Sequence, residues 1–264
     1  MARAANHERA VSGERYYVPP ALYDAIYSDV VADVPFCVAQ ARAAGGMVLE
    51  VACGTGRILI PCREAGVEID GFDLDPAMVE ALRERLAQRG LKAHVVQADM
   101  RDFTMPRRYA LLMIPFNTFL HNLTQADQLA TLRCCREHLE PGGRLLLGVF
   151  HPSASKLQEH GGTPHPRKEL PHPSGRGTIR ITDTGTREPI DQIIRIRRRV
   201  EIVDAQGRVT ETHDLAFSIR YVFKPEMELL LRAAGFTRFQ VQGGYEAPRP
   251  PVEGDYLVWT AWRD

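Results

Sequence analysis

The chain has 264 residues, with 33 Lys and Arg against 33 Asp and Glu, 25% charged and 44% hydrophobic. This is enough for one large domain, or a domain with a sizeable attachment, and the composition is that of a folded globular chain. The zero balance argues against a main task of neutralising a nucleic-acid backbone. No apolar run approaches the roughly eighteen residues of a membrane span, and the first residues lack the apolar core of a secretory signal.

Residues 1–44 are expected to begin loose and continue as helix. Leu22, Ile26 and Val30 recur at helical spacing, Tyr23 and Tyr27 share a neighbouring stripe, and Pro35 implies two helices rather than one. A regular alternation follows. Met47–Ala52 reads as a strand, Arg57–Ala65 as a helix and Glu68–Asp73 as a second strand. Asp75 and Pro76 are suited to cap and open a helix lined by Met78, Leu82 and Leu86. Ala93–Gln97 and Tyr109–Ile114 read as strands three and four. A helix opened by Thr124 and ended by Pro141-Gly142-Gly143 leads to a fifth strand, Arg144–Phe150. Strands alternating with helices imply a parallel sheet covered on both faces.

The pattern changes after Phe150. His151–Gly177 is rich in proline, histidine and glycine and reads as a loop or flap. Thr178–Asp183, Ile193–Val203 and Val209–Phe223 follow as strands without helices between them, the last two joined by the turn Asp204-Ala205-Gln206-Gly207. A helix over Pro225–Ala234 and strands over Phe236–Gln242 and Tyr256–Trp262 complete the chain. Five cysteines, at 37, 53, 62, 134 and 135, lack CxxC spacing and are expected to be reduced core thiols of a cytoplasmic protein. The histidines between 151 and 177 have no paired metal-ligand spacing, so no metal is expected.

The most informative segment is Val48-Leu49-Glu50-Val51-Ala52-Cys53-Gly54-Thr55-Gly56-Arg57, a strand, a turn of small residues and a helix start. Its glycines allow close approach of a ligand to backbone N–H groups. Leu59 stands where a dinucleotide fingerprint needs its third glycine, and the turn lacks the lysine of a phosphate-binding loop. With Asp73 at the end of strand two and Asp99 after strand three, the chain resembles the class I S-adenosylmethionine-dependent methyltransferases. The resemblance is good over residues 45–150 and looser over the last helix and strands, and Ala52 replaces the first glycine of the family's turn. Within that family the chain looks like bacterial glycine/sarcosine-type and sugar-amine N-methyltransferases.

The resemblance implies an α/β fold: a Rossmann-like, doubly wound, seven-stranded sheet, six strands parallel and one antiparallel, with an antiparallel β-insertion. It divides the chain into an N-terminal helical lid (1–44), a cofactor-binding core (45–150), a flap and β-insertion (151–223) and a completing helix and strands (224–264). S-adenosyl-L-methionine is the implied cofactor. Its implied contacts are Tyr17 and Tyr23 from the lid, Glu50, Ala52, Cys53, Gly54 and Gly56 from the turn, Asp73 and Leu74, Asp99 and Met100, and Pro115. Asp73 would hold the ribose diol, Asp99 the adenine amine with Met100 on the ring, and Glu50 the amino-acid end.

Around the methyl group, Asn117 and His121 after strand four and His151 after strand five are the candidate catalytic residues. Ile114-Pro115-Phe116-Asn117 lacks the motif of DNA and protein-glutamine methyltransferases, which favours a small-molecule acceptor. On strand Ile193–Val203, Arg195, Arg197 and Arg199 share one face, whereas Arg198 interrupts the apolar face. It therefore needs either a buried acid or an anionic substrate, and Arg198 or Arg220 is a candidate substrate contact. The expected reaction is methyl transfer to nitrogen or oxygen of a small molecule, by a monomer or homodimer without nucleic-acid or membrane partners. Sulfonium cyclisation or another group transfer, and a non-catalytic cofactor-binding scaffold, are the competing readings.

Overall fold

The computed structural model describes residues 19–264 apart from Ser174 and Arg176. They form two compact units, Asp29–Leu157 with Arg220–Asp264, and residues 19–28 with Gln158–Ile219. Elements are numbered along the chain. Helix α1 (Pro20–Ile26) belongs to the second unit, and α2 (Val34–Arg42) opens the first. Pro35 sits in the first turn of α2, where its missing N–H costs nothing, so the break between the helices precedes it.

The larger unit runs β1 (Val48–Val51), α3 (Leu59–Glu64), β2 (Ile69–Asp73), α4 (Pro76–Gln88), β3 (Val95–Gln97), β4 (Tyr109–Ile114), α5 (Gln125–His138) and β5 (Leu139–Phe150). A short helix, α6 (Ala154–Gln158), precedes the strands of the smaller unit: β6 (His165–Pro171), β7 (Thr178–Glu188), β8 (Ile193–Val203) and β9 (Val209–Arg220). Then α7 (Lys224–Ala233), β10 (Arg238–Gly243) and β11 (Tyr256–Trp262) complete the larger sheet.

That sheet has the order β10-β11-β5-β4-β1-β2-β3. β11 pairs antiparallel with both neighbours, and the other six strands share one direction. This is the six-plus-one arrangement the resemblance implies. All residues of β1 and β2 are buried, as a strand covered on both faces requires. Gly71 in β2 marks a close contact: a Cβ there would lie 2.7 Å from Leu59 of α3. The Asp75 side chain caps α4 by accepting from the Ala77 N–H at 2.9 Å, and Thr124 caps α5 through the Asp127 N–H at 3.0 Å. All five cysteines are free and buried.

Pro141-Gly142-Gly143 falls inside β5 rather than before it. The helix ends at His138, and the strand pairs Tyr109 with Leu139 before its register shifts to Leu111 with Arg144. Gly142, at φ 76, donates its N–H to the Arg263 carbonyl, so the extra residues form a local bulge.

In the smaller unit the strands lie in the order β6-β7-β8-β9. β6 falls within 151–177, which reads as a loop; its Pro166 and Pro171 are tolerated because the strand is at the sheet edge. α1 lays Ala25 and Ile26 against Ile179, Ile181 and Val200 of this sheet. The two helices of 1–44 therefore bury their apolar faces in different units, α2 placing Cys37 and Ala41 in the larger core.

Candidate active site

In the order β4-β1-β2-β3, Glu50, Asp73 and Asp99 stand on or just beyond three adjacent strands. The turn after β1 is left-handed at Ala52 (φ 54), Gly54 (φ 53) and Gly56 (φ 93). At Gly56 glycine is required twice over, because a Cβ would also lie 2.4 Å from Leu82 of α4. Ala52, by contrast, holds its left-handed conformation against a side chain. Cys53 faces inward: its sulfur packs beside Gly71, and its N–H donates to the Phe72 carbonyl at 2.8 Å.

Asp73 ties the turn to β2. One carboxylate oxygen accepts the Gly54 N–H at 2.8 Å and the other the Asp75 N–H at 2.9 Å, leaving each with a further lone pair. Burial raises its pKa, and these backbone donors work against the rise. Leu74 beside it is exposed. The end of β3 is fastened by the Ala98 N–H to the Asp73 carbonyl at 3.0 Å. Asp99 is gripped by Arg101, at 2.6 Å to one oxygen and 3.0 Å to the other. Burial raises the Asp99 pKa, but the Arg101 hydrogen bonds outweigh it and hold the carboxyl below its usual range. Met100 offers its sulfur to the Asn122 amide at 3.3 Å.

Glu50 is only 3% exposed, and its Oε2 has no hydrogen-bond partner. Burial pushes its pKa up to about 8; nearby Arg57 and the Leu59 N–H oppose the rise, and Asp33 adds to it. A buried acceptor oxygen with nothing from the protein on it fits a bound cationic or N–H-bearing group, as the amino-acid end of S-adenosylmethionine would supply.

Beyond β4, Phe116 (φ 55) and Asn117 (φ 63) are consecutive non-glycine residues in the left-handed region, a conformation that persists only where its surroundings enforce it. Asn117 is pinned between strands: its N–H donates to the Gly148 carbonyl at 3.0 Å, and its Oδ1 accepts the Phe150 N–H at 2.7 Å. Pro115 is buried next to it, and His121 closes the single 3-10 turn Thr118–His121. His151 donates its N–H to the Asp255 carbonyl at 3.2 Å, while its ring Nδ1 is buried without a partner.

Four further residues border these positions and were not singled out from the sequence. Asp33, 2% exposed, receives the Arg57 guanidinium on both oxygens, one at 2.8 Å, and the same guanidinium lies 5.2 Å from the Phe116 ring centroid. Tyr245 and Tyr256 stack at 5.1 Å, and Tyr256 donates to the Gly148 carbonyl at 3.1 Å. Burial raises the pKa of both phenols, which keeps them protonated. The local signal was a charged residue directly after Gly56; Asp33 and Tyr256 take their places through the docking of α2 and the pairing of β11 with β5.

Tyr17 lies outside the described residues, and Tyr23 belongs to the smaller unit, its ring 4.7 Å from Tyr27. Arg198, also there, forms a bidentate pair with Asp183, both bonds 2.8 Å, and donates to the Tyr27 hydroxyl at 2.8 Å. Of the two partners left open for it, a buried acid is present. Arg220, in the larger unit, donates to Gln128 at 2.8 Å and to Glu226 at 2.7 Å. Among the described residues no group of three or more His, Cys, Asp or Glu is placed to hold a metal ion. No helix among them is long and apolar enough to cross a membrane.

Residues 48–143 match a family model described as a methyltransferase domain. The cypemycin N-terminal methyltransferase of a Streptomyces species is 29% identical over 203 residues, 76% of this chain and 76% of that protein. The dTDP-3-amino-3,4,6-trideoxy-alpha-D-glucopyranose N,N-dimethyltransferase of Streptomyces venezuelae is 30% identical over 117 residues, 44% of this chain and 48% of its own length. Among solved structures, an S-adenosylmethionine-dependent methyltransferase from Clostridium acetobutylicum shares the fold at a TM-score of 0.75 and 16% identity, covering 91% of this chain and 96% of that one.

Proposed function

We propose that the chain is a class I S-adenosylmethionine-dependent methyltransferase and that it methylates an amine nitrogen of a small molecule. The observation that carries the choice of nitrogen is the likeness to the cypemycin N-terminal methyltransferase, which extends over three quarters of both chains. The likeness to the amino-sugar N,N-dimethyltransferase supports it over the cofactor-binding core.

When bound, S-adenosylmethionine supplies an electrophilic methyl group on a positively charged sulfur. In this reading the Asp73 carboxylate takes the ribose hydroxyls on its remaining lone pairs, and Leu74 and Met100 give the adenine apolar contact. Asp99, whose two oxygens are engaged by the Arg101 backbone N–H and guanidinium, takes the exocyclic amine by giving up part of that grip. The unpartnered oxygen of Glu50 receives the amino-acid end. Residues 45–150 and 224–264 thus serve the cofactor, and 151–223 selects the acceptor.

For the acceptor, the chain's work is to position a neutral amine and to remove its proton. Asn117, fixed by two bonds to β5, is the positioning residue. The Nδ1 of His151 is the proton acceptor, because no protein group competes for it. His121 borders the same end of β4.

The test is incubation with methyl-labelled S-adenosylmethionine and separate panels of amino sugars, peptides with free N-termini and phenols. Label on nitrogen together with S-adenosylhomocysteine is the expected outcome. Label only on oxygen, or methylthioadenosine as the nucleoside product, overturns it.

A further inference from the structure

The antiparallel sheet of the smaller unit carries a charged face that includes none of the methyl-transfer residues. Strand β8 presents Arg195, Arg197 and Arg199 on one side, and the register of β7 sets Thr186, Thr184 and Thr182 directly opposite them. Arg195 is held by Glu188 at 2.7 Å and Arg199 by Asp214 at 2.8 Å. Arg198, which interrupts the apolar alternation, is held by Asp183 at 2.8 Å. Arg197 is exposed and, among the described residues, is the β8 arginine without a carboxylate or hydrogen-bond partner.

A cavity of about 580 Å³ opens over this face, lined in part by Thr182, Thr184, Arg197, Arg199, Asp214 and Ala216. That is the size of a small-molecule site. The pairs Arg199–Asp214 and Arg198–Asp183 each cancel, so the lining keeps the single positive charge of Arg197. A planar guanidinium matches two oxygens of a carboxylate or phosphate, and a threonine hydroxyl across the strand supplies a further donor. Ala216 adds only a methyl group to the lining.

We propose that this cavity binds the oxyanion of a small molecule, with Arg197 as the ion-pairing fork and Thr184 as the adjacent hydroxyl donor. Carboxylate and phosphate share the chemistry that the lining recognises. The proposal does not depend on which acceptor is methylated, because its test reads binding of the anion rather than turnover.

The test titrates the full chain calorimetrically at low salt with inorganic phosphate, succinate and glucose 1-phosphate. Saturable binding of any of the three is expected. Arg197→Gln should weaken it about tenfold or more, Thr184→Val a few-fold, and added salt should weaken it progressively. Among the described residues Arg197 has no hydrogen-bond or ion-pair partner to lose, so Arg197→Gln should keep the wild-type melting temperature; Thr184→Val is a second probe of the same cavity. Binding of free phosphate marks a site for a free oxyanion, and binding of the sugar phosphate alone marks a site for the anionic head of a larger molecule; either supports the proposal. No binding of any probe to the wild type, or equal binding by the wild type and Arg197→Gln, overturns it.

Discussion

Arg57 grips both carboxylate oxygens of Asp33, a residue 24 positions earlier that is itself almost wholly buried. The pair fastens the start of α2 to the turn after β1. Arg57→Met should cost about 3 kcal/mol in urea denaturation, toward the low end for a broken buried pair because the arginine keeps a fifth of its surface exposed. Pairing it with Asp33→Asn should recover much of the loss, since the stranded charge is then gone. A single-variant loss below about 0.5 kcal/mol would show that the pair is not formed in solution.

Glu50 makes cofactor binding depend on pH in a definite direction. Burial places its carboxyl near 8, well above the ordinary glutamate, so the folded protein holds this proton more tightly than the unfolded chain. Its contribution to stability is complete below the unfolded pKa and is lost as pH rises toward about 8. Glu50→Gln should therefore melt higher than wild type at pH 8 and flatten the fall in stability between pH 5 and pH 8. A cationic ligand prefers the carboxylate, so wild-type affinity for S-adenosylmethionine should rise with pH up to about 8, by at most about tenfold per unit. Calorimetric titration at pH 6, 7 and 8 reads this. An unchanged slope in Glu50→Gln counts against the role given to Glu50.

Asn117 is held in the left-handed region while its side chain bridges to Phe150. Asn117→Ala leaves the Phe150 N–H without its acceptor and removes the short polar side chain that suits asparagine to the left-handed region better than alanine. The expected result is a large fall in kcat with cofactor affinity little changed. Asn117→Asp, which keeps the accepting oxygen, should restore much of the rate. Equal loss in both variants would point to general unfolding of the loop.

Arg198 and Asp183 should behave as a structural pair. Arg198→Leu strands a carboxylate that is about 1% exposed, with Arg167 at 3.6 Å as the remaining cation, and should cost about 3–5 kcal/mol in denaturation. Arg198→Leu combined with Asp183→Leu should recover most of it. A stable Arg198→Leu protein that loses only acceptor affinity would instead return Arg198 to substrate binding.

Ala52 offers a gain rather than a loss. At φ 54 it has the conformation that the family's glycine adopts freely. Ala52→Gly should raise stability by about 1 kcal/mol, seen as a melting temperature a few degrees higher. A lower melting temperature would mean that the β-carbon contributes packing that outweighs the strain.

Local pattern was enough to locate β4, β8 and β11 to the residue, because each is a run of apolar or alternating side chains between clear turn signals. It failed at β6, where two prolines argue against a strand unless one knows that the strand will be at an edge. It failed again at Pro141-Gly142-Gly143, where turn residues serve a bulge inside a strand. In the site, the acids at strand ends were legible because each belongs to a short motif. The Asp33–Arg57 pair was not, since it depends on where α2 docks. The same holds for Tyr256, whose place over Gly148 follows from the pairing of β11 with β5.

That pairing has a consequence for how the protein is made. β11 comes near the end of the sequence yet lies inside the sheet, between β5 and β10, with Trp259 wholly enclosed. A ribosome delivers the first five strands, then all four strands of the other unit, before the piece that seals the edge of β5. Until then β5 presents an apolar strand with unpaired backbone, and pairing across that long gap carries a high chain-closure cost. Nascent chains stalled before Tyr256 should be the aggregation-prone species, and a chaperone would be needed most in that interval.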